Sequence, residues 1–132
     1  MNYKLACHLM ITLLGVVLLF HLSIITGLVD FKLVWGGRLK TQEEMFVFES
    51  ISLALNAYLL LIILQKANWI KQLFSPKVQN VSLWIFTVIF SLNTLGNLLA
   101  NNLFEKIAGT AMTLFSAYAC WIIVRKKEST SS

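Results

Sequence analysis

Four apolar runs decide what this chain can become. They occupy residues 5–29, 45–64, 81–100 and 106–124, and each is close to or above the roughly 20 helical residues that cross a ~30 Å hydrocarbon layer. In lipid a segment has to satisfy its own backbone, which an α-helix does unaided. Composition supports the same reading. With 58% hydrophobic and 13% charged residues, the chain has too little charge to coat a soluble domain. Its 132 residues leave room for a single domain, residues 1–132.

The helix starts are signed. Thr41-Gln42-Glu43-Glu44 has the capping-box pattern, in which the Thr41 hydroxyl accepts the Glu44 amide and the Glu44 carboxylate reaches back. Asn102 to Glu105 repeats that logic before the last run, and Ser75-Pro76 puts proline at the first helical position of the third. The expected helices are therefore about 5–29, 42–65, 76–101 and 103–125. Met1 to Lys4 is short and basic, and the first run lacks a small-x-small cleavage site, so it reads as an uncleaved spanning helix. Asn101-Asn102 leaves almost no loop, which predicts a tight antiparallel pairing of the last two helices. Lys66 to Ser75 reads as a short amphipathic connection, with Trp69 and Phe74 suited to the interface.

Basic residues set the expected orientation. Lys4, Lys66, Lys71, Lys77, Arg125, Lys126 and Lys127 fall on one side, against Lys32, Arg38, Lys40 and Lys106 on the other. The expectation is an all-α, four-helix, antiparallel transmembrane bundle with both termini cytoplasmic. The net charge of +5 sits at the ends of apolar runs and forms no separate basic face, which argues against a nucleic-acid partner. Cys7 and Cys120 have neither CxxC nor metal-ligand spacing and read as small apolar packers.

Glu49 is the most unusual residue in the spans. A charge near the middle of a bilayer costs about 2.5–3.5 kcal/mol on insertion scales, so Glu49 needs a partner, a wet cavity or a proton. It reads as a proton carrier or a ligand anchor; the plainer alternative is that it snorkels outward or pairs with Arg38 or Lys40. Ser52 and Asn56 share its helix face. His21 falls in the outer half of helix one, at a depth similar to Glu49. A His–Glu pair there could shuttle a proton or hold a polar head group, while the alternative is a buried histidine bonded to a backbone carbonyl or an asparagine. Asn93 and Asn97 lie one helical turn apart on helix three. They read as interhelical glue, or as further lining of the same outer pocket.

Gly109, Thr113, Ser116, Ala117 and Cys120 form a small-residue face on helix four. Ser23 with Gly27 on helix one, and Ser50 with Ala54 on helix two, suggest further close approaches. In Trp35-Gly36-Gly37-Arg38 the glycines permit a tight reversal, Trp35 suits the headgroup belt and Arg38 can hold a phosphate or carboxylate. An interfacial turn anchored by tryptophan and arginine explains the same residues.

The run VWGGRLKTQEEMFVFE, with SLNTLGNLLANNLFEK later, resembles a group of small bacterial four-helix membrane proteins of uncharacterised function. The resemblance covers most of the chain and implies the fold and a bacterial inner-membrane setting; it carries over no catalytic residue. The functional expectation is a small integral membrane protein that binds a lipid or small amphiphile in an outer-leaflet polar pocket, or serves a membrane-protein partner. Its candidate ligand-binding residues are Glu49, His21, Arg38, Asn93, Asn97, Trp35 and Asn56. A proton-coupled transporter acting as an oligomer is the alternative. An enzyme using Glu49 and His21 as acid and base ranks last, because no nucleophile, metal set or cofactor motif accompanies them. No cofactor or metal is expected, and the oligomeric state stays open.

Overall fold

The computed structural model describes residues 1–34 and 38–126. Among them, four helices are long and apolar enough to cross a membrane. They are α1 (Tyr3–Ile25), α2 (Gln42–Lys66), α3 (Pro76–Leu98) and α4 (Thr110–Arg125), the last entered through a π-helical turn at Glu105–Gly109. The chain is thus an all-helical, multi-pass membrane protein. In each spanning window at most 33% of residues are buried within the protein, so most side chains keep surface open to the surroundings, as lipid-facing helices allow.

The caps form as the residues dictate. The Thr41 hydroxyl accepts from the Glu44 amide at 3.1 Å, and the Glu44 carboxylate accepts from the Thr41 amide at 3.2 Å. Ser75 caps α3, with Pro76 in its first turn. Asn102 accepts from the Phe104 amide at 2.8 Å ahead of the π turn. Just after that turn, at the start of α4, the Thr110 hydroxyl is buried and has no hydrogen-bond partner among the described residues.

Two expectations need correction. α1 ends at Ile25, short of residue 29. Gly27 adopts φ +87°, its amide turns back onto the Ile24 carbonyl at 3.1 Å, and the Val29 amide onto Ser23 at 3.0 Å. This is the left-handed glycine stop that satisfies the last carbonyls of a helix. Gly27 is therefore a terminator and not part of a helix-packing face. Ser50 and Ala54 of α2 are exposed, so they mediate no close approach within the protein. On α4 the expected small-residue face does pack inward, with Ser116, Ala117 and Cys120 all buried.

One core draws on every helix. Its buried members include Cys7, Met10 and Leu14 of α1, and Leu59, Ile62 and Ile63 of α2. Leu83 and Phe86 of α3 join Cys120 and Ile123 of α4 to complete it. These residues lie in the first part of α1 and α3 and the last part of α2 and α4. Toward the other end the sharing stops. A second, small cluster there joins Ile24 and Met45 with Val34 and Leu39 of the α1–α2 connection, and α3 and α4 meet through their own hydroxyl contacts.

Candidate functional site

The cap at Thr41 fixes where α2 begins and so puts Glu49 about two turns inside it. α1 brings His21 to within one turn of its own end. The two meet: His21 Nδ1 lies 2.5 Å from Glu49 Oε2. Glu49 is fully buried, and the His21 side chain keeps 16% of its surface exposed. The two side chains are hydrogen-bonded, and which of them donates depends on the tautomer of the ring. Two of the pair's available protonation forms differ in net charge. An imidazolium and a carboxylate together carry no net charge; a neutral imidazole donating through Nδ1 to a carboxylate carries one negative charge. The difference is one proton. With Nδ1 engaged, Nε2 is the ring nitrogen left for any further partner.

The surroundings are apolar. Leu19, Phe20 and Leu22 of α1, and Phe46 and Val47 of α2, are exposed. In a membrane these side chains face lipid, and the Phe20 ring lies beside His21, ring centres 6.1 Å apart. The site also lies beyond Leu14, the last α1 residue buried in the four-helix core.

The other candidate residues are placed as follows. Asn97 donates to the Thr113 hydroxyl at 3.3 Å, beside a Thr94–Thr113 hydroxyl bond of 2.9 Å, and so belongs to the seam between α3 and α4. Asn93 is exposed. Asn56 donates to the Ser52 carbonyl of its own helix at 2.7 Å. Arg38 is exposed. Trp35 and the two glycines after it lie outside the described residues. The structure thus brings His21 and Glu49 together, and gives Asn97 and Asn56 partners elsewhere. Among the described residues, no group of three or more His, Cys, Asp or Glu is arranged to hold a metal ion.

Sequence reasoning missed a polar cluster at the opposite end. Gln65 Oε1 accepts from the Leu73 and Phe74 amides, both at 2.9 Å, and from Gln79 Nε2 at 3.2 Å. Gln72 donates to the Gln65 carbonyl at 2.6 Å, and its own Oε1 accepts from Gln79 at 2.9 Å. The glutamines recur every seven residues from the end of α2 to the start of α3, a spacing that was the available signal. They tie the α2–α3 connection to both helices, which is a structural task.

No family model matches the chain. Searches of curated proteins and of solved structures likewise return no match.

Proposed function

We propose that this protein binds the polar head of a lipid or small amphiphile at a site centred on His21, in the outer leaflet of a bacterial inner membrane. The helices run antiparallel in this reading, with both termini cytoplasmic. The approach of Tyr3 to Lys66 at one end and of His21 to Glu49 at the other supports that arrangement for α1 and α2. The excess of Lys and Arg on the side of the termini supports the orientation, and the resemblance to small bacterial four-helix membrane proteins supports the setting.

The observation that carries the proposal is the fully buried Glu49 carboxylate bonded to a partly exposed His21. Glu49 holds the ring, and His21 offers Nε2 toward a head group while the acyl part lies along the apolar wall of α1 and α2. Glu49 thereby acts through the histidine and not by direct contact. Arg38, exposed on the connection to α2, is suited by its guanidinium to hold a phosphate or carboxylate of such a head group. Asn93 and Asn97 fall outside the site. Native mass spectrometry of the purified protein tests the reading. A lipid-sized adduct is expected on the wild type and severalfold less of it on His21→Ala. Equal occupancy in the two proteins refutes the site.

A second reading, proton-coupled transport by an oligomer, is favoured by one feature: the two forms of the pair differ by a single proton. Proteoliposomes containing an internal pH dye distinguish it. Proton uptake lost in Glu49→Gln and kept in Glu49→Asp supports transport, and unchanged uptake in Glu49→Gln excludes it.

A further inference from the structure

At the end opposite His21, cations from three helices converge on one groove. It encloses about 210 Å³ and is lined, among the described residues, by Tyr3, Lys4, His8, Lys66, Trp69 and Lys126 with Cys7, Ala67 and Asn68. We infer that this groove binds the phosphate of an anionic membrane lipid, a second site independent of the His21–Glu49 reading.

Two of the ammonium groups, those of Lys66 and Lys126, are held in place. Lys66 Nζ donates to Asn80 Oδ1 at 2.7 Å, and its carbonyl accepts from the Tyr3 hydroxyl at 2.7 Å. Lys126 Nζ lies 4.0 Å from the centre of the Tyr3 ring, a cation–π contact. Tyr3 therefore links α1, the end of α2 and the end of α4 around the groove. Tyr3 and Lys126 also form a wall of an adjoining hollow of about 360 Å³, which Arg125 lines as well. A phosphate seated in the groove is attracted by each of these cations.

Depth identifies the source of the phosphate. Asn68 adopts φ +60°, which turns the chain out of α2 and sets Trp69 beside His8, ring centres 5.2 Å apart. Trp69 is 57% exposed. An exposed tryptophan at the end of a spanning helix sits at headgroup level, so the lysines beside it stand at the level of lipid phosphates. Basic pockets between helix ends are suited to such head groups. The carboxylates Asp30, Glu43, Glu44 and Glu105 belong to segments at the other helix ends.

The test uses the full chain in zwitterionic detergent. Native mass spectrometry counts bound dioctanoyl phosphatidylglycerol, with dioctanoyl phosphatidylcholine and glycerol 3-phosphate as separate arms. Lys4→Gln/Lys126→Gln is expected to weaken phosphatidylglycerol binding about thirtyfold, at the usual strength of a basic residue near an anionic surface. Lys71→Gln/Lys77→Gln removes the same charge from exposed positions outside the groove lining, and is expected to change binding less than about threefold. Equal losses in the two double variants overturn the site in favour of diffuse charge attraction. Phosphatidylcholine bound as tightly as phosphatidylglycerol also overturns it, and glycerol 3-phosphate bound as tightly assigns the groove to a soluble ligand instead. Should the glutamine variant lose helix content by circular dichroism, Lys4→Arg/Lys126→Arg decides: retained selectivity upholds the site, and its loss removes it.

Discussion

Glu49 has no exposed surface, and its contact with His21 is one of its interactions. A carboxylate in such a setting depends on its donors. Removing His21 deletes a hydrogen bond to a charged or potentially charged group, worth about 1.5–3 kcal/mol. Removing Glu49 as well takes away the group that suffered the loss. His21→Ala is therefore expected to lower unfolding stability by about that amount, and the double variant His21→Ala/Glu49→Ala by clearly less than the sum of the singles. Denaturant titration of the four proteins in one detergent measures the coupling. Additive losses would mean that the contact stores no interaction energy. The sequence made this pair legible only in part. The depth of each residue can be counted along its helix, but the direction each faces depends on how α1 rotates against α2, which near-uniform apolarity leaves unspecified.

At the scale of the helix, the starts of α2 and α3 and the ends of α2 and α4 were readable to within a residue, and the end of α1 was not, for a physical reason. A start is written in side-chain acceptors such as Thr41, Ser75 and Asn102, which belong to few residue types. The end of α1 is written in the φ of Gly27, and a glycine amid apolar residues reads equally as a packing position. The α3–α4 seam contrasts a packed glycine with an open one. A Cβ on Gly109 would stand 2.8 Å from Asn97 Cγ and Oδ1, whereas a Cβ on Gly96 meets nothing within 4 Å. Gly109→Ala must displace the Asn97 side chain and its bond to Thr113, at a cost of about 1–3 kcal/mol. Gly96→Ala replaces a helix-interior glycine without a clash and is expected to stabilise by about 0.5–1 kcal/mol. Thermal unfolding of the two variants should move in opposite directions, and a Gly109→Ala protein as stable as the wild type would show that Asn97 yields freely.

Across the whole molecule, packing and charge are both lopsided. The core shared by all four helices lies at the end that carries the termini, the same end at which Lys4, Lys66 and Lys126 gather. The other end holds a smaller cluster and most of the acids. Positive residues near span ends are retained on the cytoplasmic side, while acids contribute little to orientation. The well-packed basic end should then face the cytoplasm, and the His21–Glu49 end the outside. Cysteine labelling reads this directly, because the native Cys7 and Cys120 are both buried and should react slowly. Arg38 and Lys71 are exposed on opposite sides of α2 in the chain. Arg38→Cys is expected to react with a membrane-impermeant maleimide in intact cells. Lys71→Cys should react only after permeabilisation. The reverse pattern would invert the protein and transfer the histidine site to the inner leaflet, leaving both the pair and the lysine groove intact as chemistry but exchanging the leaflets they sample. Labelling of both positions in intact cells would instead reject a single orientation, since the lysine excess would then be too weak to commit the chain to one side.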